Sequence, residues 1–477
     1  MGKFRDKLAN FMRGRYGMDN LYYFLIALIF VLMIIYTFYC FYLVLKRGTE
    51  ETGGSLVRQI ILIFCMDTVA FAVLFLKTRD YKVLIFYGEM MVFFIVIQLL
   101  YRVLYPKASL LLLNNMCMLL SVGFIMLRRL DEEAATKQLL IAIGAGVVSL
   151  VIPVLIRKMR FLNRLTWLYA GCGVILLAAV LVLGRTSYGA RLSLMGIQPS
   201  EVIKITFVFF MAAYLYRDLS IKKVVIATAI AAMHVLILVM SRDLGSALIF
   251  YVTYLMMIYV ATRKPQLIGA GLLLGSVAAV GAYYVFGHVR ERVSAWKNPM
   301  AVYENEGYQI VQSLFAIGTG GWFGMGLCQG SPEKIPVVNS DFIFSAICEE
   351  LGGIFGICLI LVCMNFFLMI LGICLRIKNP FFKLIALGLG TEYAFQVFLT
   401  IGGVTKFIPL TGVTLPLVSY GGTSVVSTIV MLSIIQGLYI LREDEDEEIQ
   451  RIRREARERK SARPGPRKRA RPGEWEE

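Results

Sequence analysis

Asp341 closes a polar, glycine-rich stretch and directly precedes Phe342-Ile343-Phe344, the start of a long apolar run. A carboxylate beside phenylalanines is partly desolvated, which raises its pKa toward the range useful for taking a hydroxyl proton. Capping of a membrane helix by Asn339, Ser340 or Asp341 is the competing reading of the same residues. Glu349 and Glu350 follow two turns deeper, as further proton handlers or as satisfied core carboxylates. Gln198-Pro199-Ser200-Glu201 opens another apolar run, with Lys204 three residues after Glu201. That spacing puts Glu201 and Lys204 on one helix face, where they can pair. An N-cap at Ser200, a first-turn proline and a packing pair is one account; a functional intramembrane ion pair is the other. Arg242-Asp243-Leu244-Gly245 opens a third run, where Asp243 suits a helix N-terminus. Arg191, Arg242, Arg290, Arg292 and Lys406 would together line a basic mouth for an anionic headgroup such as a pyrophosphate, provided the fold gathers them.

These side chains need elements to hold them. From Gly307 to Gly353 the chain reads GYQIVQSLFAIGTGGWFGMGLCQGSPEKIPVVNSDFIFSAICEELGG. Connections between membrane helices are mostly short, and one this long is functional or disordered. Tyr308, Phe315, Trp322, Phe323 and Phe342 can bury, which argues against disorder. Gly318, Gly320, Gly321, Gly324 and Gly326 lack the preceding strand and following soluble helix of a dinucleotide fingerprint. Close backbone packing, with amides available to an anion, fits them better.

Hydrophobic residues make up 58% of the 477 and charged residues 17%, against about 45–50% and about 25% in globular domains. Mean hydropathy is +0.71. Thirteen apolar runs of spanning length lie near 21–45, 55–76, 82–105, 108–127, 138–156, 167–184, 200–216, 222–240, 244–262, 266–286, 342–375, 381–404 and 413–441. They do not alternate with period two, so an all-α polytopic membrane protein is expected rather than a barrel. The 342–375 run is long enough to tilt or to extend past the bilayer. The basic start MGKFRDKLANFMRGRYG leads into a run too long for a signal-peptide core, so the first helix is expected to do the targeting.

IRKMRFLNR (156–164), RDLSIKK (217–223), TRK (262–264) and RIKNPFFK (376–383) concentrate Lys and Arg on one side. By the positive-inside rule the C-terminus is then cytoplasmic and a long loop, 287–341, faces outward. The same count leaves the basic N-terminus outside, against the rule, unless an early helix does not cross. The net charge of +17 therefore meets anionic lipid and does not call for nucleic acid. The tail from Arg442 to Glu477 opens acidic and turns basic, as a solvated cytoplasmic segment does. Nine cysteines without a CxxC and only two histidines speak against a structural zinc site or a disulfide framework.

Seven segments in this order resemble the SEDS family (shape, elongation, division and sporulation), that is RodA, FtsW and SpoVE. They are QPSE-x-x-K (198–204), DLGS (243–246), GYQIVQS (307–313), AIGTGGWFGMG (316–326), SDFIF (340–344), EELGG (349–353) and TGVTLPLVSYGGTS (411–424). The resemblance implies a ten-helix core over 108–441, about three extra helices in 1–107 and a charged tail in 442–477. It implies a glycosyltransferase that polymerises lipid II into glycan strands at the outer face of the bacterial cytoplasmic membrane. Asp341 would be the catalytic base, deprotonating an acceptor sugar hydroxyl that expels undecaprenyl pyrophosphate with inversion. Glu201, Lys204, Arg191, Arg242, Gln312, Lys334 and Ser419 would be substrate-binding residues. The implied partner is a class B penicillin-binding protein. A divalent cation, Mg or Mn, is an optional assistant for which the sequence shows no ligand cluster. The family often has a basic or histidine residue just before its aspartate, where this chain has Val338-Asn339-Ser340. Two rival functions remain: a flippase for lipid II, and a non-catalytic division scaffold. A base for surface chemistry belongs at the rim, whereas a flipping path needs polar groups through the midplane. The outward clustering favours the enzyme.

Overall fold

In the computed structural model the described residues are 2–46, 52–159, 161–187, 190–193, 197–217, 219–304 and 307–461. Apolar runs that leave water must satisfy their backbone groups internally, so they coil. The helices are α1 (Gly2–Leu45), α2 (Thr52–Thr78), α3 (Tyr81–Leu104), α4 (Leu110–Leu130), α5 (Glu132–Lys158), α6 (Thr166–Leu183), α7 (Pro199–Leu215), α8 (Ile221–Met240), α9 (Leu244–Thr262), α10 (Pro265–Val285), α11 (Gly287–Lys297), α12 (Gly307–Gly320), α13 (Ile343–Leu351), α14 (Gly353–Arg376), α15 (Pro380–Val404) and α16 (Gly422–Ser461). Twelve of them are long and apolar enough to cross a membrane. The thirteenth expected span is α7, with 17 residues. The all-helical expectation holds apart from a small antiparallel ribbon of β1 (Arg185–Ser187) and β2 (Ala190–Ser193) between α6 and α7.

Ion pairs define one end of the bundle. Lys107 meets Asp444 at 2.8 Å and Glu447 at 2.6 Å, Arg157 meets Asp444 at 2.7 Å, and Lys378 meets Asp446 at 3.2 Å. The acidic opening of the tail thus sits against the ends of α3, α5 and α14. At the opposite end lie the first residues of α5, α7, α9, α14 and α16, together with α11, α12 and α13.

Three expectations change. The 287–341 stretch is not an open loop: it holds α11, α12 and two short 3-10 turns, because Ala295, Ile310, Val311 and Ala316 find burial. The 342–375 run is two helices, not one. It breaks at Gly352, where φ is +90° and an added Cβ would stand 2.5 Å from the Gly324 nitrogen, a conformation and a space suited to glycine. The last span begins at Gly422, and 405–421 is irregular.

Irregular backbone at membrane depth survives only when buried in protein with its polar groups satisfied. Side chains from three helices do this for 405–421. Arg292 on α11 donates to the carbonyls of Leu410 and Thr411 at 3.3 and 3.1 Å. Thr400 on α15 donates to that of Val413 at 2.9 Å, and Gln396 to that of Thr414 at 3.1 Å. Gln138 on α5 donates to that of Ser419 at 3.0 Å and accepts from the Gly421 N–H at 3.0 Å. Thr423, on the first turn of α16, accepts from the Gln198 N–H at 3.2 Å.

Candidate active site

Asp341 sits in the turn that enters α13, against the irregular 405–421 segment. The Tyr420 N–H donates to the Asn339 carbonyl at 2.8 Å. The Ser419 hydroxyl donates to the Ser340 carbonyl and accepts from the Leu415 N–H at 2.9 Å. The Ser340 hydroxyl donates to Asp341 Oδ1 at 3.0 Å, while Oδ2 faces Gly412, where an added Cβ would lie 3.5 Å away. The capping account does not hold: the residue flanking α13 is Phe342, and no side chain caps that terminus. Asp341 is half-buried at a rim. Burial raises its carboxyl above the usual range, opposed by the Ser340 hydroxyl and the Arg292 charge. A carboxylate so placed is a stronger proton acceptor than an exposed aspartate.

Arg292 feels the charge of both Asp243 and Asp341. Burial, Arg242 and Arg292 all hold the His288 imidazole below its ordinary pKa, so that three basic groups converge at one mouth. The expected basic mouth is thus partly assembled, from Arg242 and Arg292. Arg290 is exposed and Lys406 is half-buried, with its carbonyl accepting the Trp296 indole N–H at 3.1 Å. Arg191 is paired with Thr186 on the ribbon, but its side chain lies outside the described residues.

Asp243 takes the expected place at the start of α9, accepting from the Ser246 N–H at 3.0 Å. Ser200 is not an N-cap. Gln198 flanks α7, Pro199 fills the first turn, and the Ser200 hydroxyl donates to Asp243 Oδ2 at 3.3 Å. One turn deeper, Glu201 and Lys204 form the expected pair at 2.9 Å. Lys204 also donates to Gln396 Oε1 at 2.7 Å, and Ser427 donates to Glu201 Oε2 at 3.0 Å. Both charged side chains are buried, beside a small cavity that Glu392 and Thr428 also line. Gln396, Ser427 and Glu392 escaped the sequence reading, although polar residues within apolar helices were a signal available to it.

Other candidates fall elsewhere. Gln312 donates its amide to the Tyr303 hydroxyl at 3.1 Å. Lys334 is exposed on a 3-10 turn over Pro332–Lys334. Ser419 is buried beneath Asp341, placed to fix the backbone rather than to meet a substrate. Glu349 and Glu350 are loop anchors: Glu349 accepts the Ser331 N–H at 3.0 Å, and Glu350 accepts the Cys328 N–H at 3.1 Å and pairs with Arg129 at 3.1 Å. Among the described residues no group of three or more His, Cys, Asp and Glu side chains could hold a metal.

A polytopic helical protein with a desolvated carboxylate and a basic mouth at one rim is the class this geometry defines. Residues 102–443 match the family model for FtsW, RodA and SpoVE, described as "Cell cycle protein", and the chain belongs to this family. It is 34% identical over 366 residues to "Peptidoglycan glycosyltransferase RodA" of Mycobacterium tuberculosis, covering 69% of this chain and 77% of that one. To "Probable peptidoglycan glycosyltransferase FtsW" of Aliivibrio salmonicida it is 31% identical over 350 residues, covering 68% and 85%. Its fold resembles a chain from "Structural coordination of polymerization and crosslinking by a peptidoglycan synthase complex", with a TM-score of 0.61, 24% identity and coverage of 70% and 98%. It also resembles the rod shape determining protein RodA of Thermus thermophilus, with a TM-score of 0.54, 22% identity and coverage of 70% and 97%.

Proposed function

We propose that this chain is a peptidoglycan glycosyltransferase that polymerises lipid II at the outer face of the bacterial cytoplasmic membrane. The observation that carries the proposal is Asp341: a half-buried carboxylate at the rim, with a raised pKa and its backbone clamped by Ser419 and Tyr420. Asp341 takes the proton of an acceptor sugar hydroxyl as that oxygen bonds to the anomeric carbon of a second lipid-linked sugar. The bond from that carbon to the pyrophosphate oxygen breaks, with inversion, and the electron pair leaves with undecaprenyl pyrophosphate. Positive charge at Arg242 and Arg292 stabilises the departing anion.

Lys107, Arg157 and Lys378, paired with the acidic start of the tail, mark the cytoplasmic end under the positive-inside rule; the site then faces outward and the C-terminus inward. The partner is a class B penicillin-binding protein that crosslinks the new strand. Against a flippase stands the enclosure of the Glu201–Lys204 pair: each residue is 5% exposed, so these intramembrane charges are not presented to a passing headgroup.

The test is purified full-length protein with its transpeptidase partner and lipid II. Wild type makes glycan polymer, and Asp341→Asn makes it at least about a hundredfold more slowly while remaining folded, with a cooperative thermal melt. Polymer from the variant at undiminished rate removes Asp341 from the chemistry, and lipid II crossing in liposomes without any polymer would favour the flippase.

A further inference from the structure

Helices α1, α2 and most of α3 precede the family match, which begins at residue 102. They are nonetheless built into the bundle at depth. The Tyr36 hydroxyl on α1 donates to Asn115 Oδ1 on α4 at 2.8 Å, and Asn115 donates to Asn365 on α14 at 3.1 Å. Asn114 donates to Gln59 on α2 at 3.1 Å and accepts from Gln98 on α3 at 3.0 Å. Amides buried among apolar helices are costly to separate, so this network holds the added helices in one register.

At the site end the same helices grip the turn between α12 and α13. The Tyr22 hydroxyl donates to the Leu327 carbonyl. Lys77 on α2 lies 4.1 Å above the Tyr22 ring, and the rings of Phe30 and Phe323 stand 5.7 Å apart. At Gly326, where φ is +104°, an added Cβ would come within 2.8 Å of Ile26 and 3.1 Å of the Tyr22 oxygen. The gripped turn is bonded in its own right to the far end of α13. The Met325 and Gly326 N–H groups donate to the carbonyls of Glu349 and Glu350 at 2.9 and 2.8 Å. The Glu350 and Glu349 carboxylates accept from the Cys328 and Ser331 N–H groups. Asp341 lies two residues before the near end of α13, a helix of nine residues.

We propose that the N-terminal helices are a strut which, through Tyr22, the 322–331 turn and the rigid α13, sets the position of Asp341; Tyr22 is a positioning residue. The inference rests on the proposed function only in calling Asp341 the base.

Tyr22→Phe removes the hydroxyl and keeps the ring, and Phe30→Leu tests the same grip about two turns further along α1. Hydrogen–deuterium exchange on the full chain in detergent should show amides of 322–331 and 339–345 exchanging about threefold to tenfold faster in both variants, the factor carried by a lost buried hydrogen bond in Tyr22→Phe and by a lost aromatic pair in Phe30→Leu. Amides of α15 should be unchanged. Polymer assays should show kcat falling severalfold with KM within twofold. Faster exchange confined to 322–331, with 339–345 and kcat as in wild type, overturns the proposal, because the grip would then not reach Asp341. Should wild type make no polymer, the glycosyltransferase reading fails by itself and the exchange at 339–345 still decides the strut.

Discussion

The Ser419 hydroxyl is bonded to the Ser340 carbonyl, 79 residues away in sequence, and so ties the backbone beside the candidate base to the irregular segment that roofs it. The same oxygen accepts from the Leu415 N–H, making one side chain the pin between two non-helical stretches. Asp341 lies two residues before α13 begins, so the pin fixes the backbone on the side of Asp341 that the helix does not. Ser419→Ala should lower the unfolding free energy by about 1–3 kcal/mol and cut kcat more than it changes KM. Loss of stability with full kcat would show that the 339–341 turn keeps its shape without it.

Asp341→Asn should reduce kcat/KM by about 10²–10⁴-fold, the contribution of a general base. In wild type the acid limb of the rate should lie above the ordinary aspartate range, since burial raises this carboxyl. The stability sign follows. A carboxyl with a folded pKa above its unfolded value adds stability that is complete below the unfolded value and is lost as pH rises through the folded one. The variant should therefore melt above wild type at pH 8, with the gap closing toward pH 4. A gap that does not change with pH contradicts the raised pKa.

Arg292 lowers the Asp341 pKa and shares a mouth with Arg242. Arg292→Met should move the acid limb to higher pH, so that the deficit is deeper on the acid side and shrinks as the pH rises. It should also cost about tenfold or more in kcat where pyrophosphate departure limits the rate. Unchanged pH profiles with Arg292→Met would place its charge out of reach of Asp341.

Glu201 and Lys204 are a buried pair, and removing one partner strands the other. Glu201→Gln and Lys204→Met should each cost about 3–5 kcal/mol, and the double variant less than their sum. Thermal melts of the four proteins in one detergent decide it. Additive losses would mean that the two side chains do not depend on each other.

Glu350 anchors the 328 turn and pairs with Arg129; burial raises its carboxyl to about 7. Glu350→Gln should lower the melting temperature while leaving the acid limb of the polymerisation rate in place. Movement of that limb would return Glu350 to the proton-handling role that its spacing from Asp341 first allowed.

The membrane class, the positions of the helices and the Glu201–Lys204 pair were legible in the chain alone. Apolar runs must coil in lipid, and an i,i+3 spacing meets itself on any helix. Asp341 stood out because a lone carboxylate beside aromatics after a glycine-rich stretch is a local pattern. The resemblance of seven ordered motifs named the family before any coordinate did. Local pattern did not reach the break at Gly352, which depends on how closely Gly324 approaches it. It did not reach the late start of α16 either, since the carbonyls of 405–421 are satisfied by Arg292, Gln138, Gln396 and Thr400 from distant helices. Nor could it show Lys334 exposed, Gln312 occupied by Tyr303, or the added N-terminal helices touching the Gly326 turn. Composition and periodicity decide what must leave water, and they act residue by residue along the chain. Which polar groups then meet is decided by the packing of helices far apart in sequence, because each buried donor takes whatever acceptor the tertiary fold sets before it.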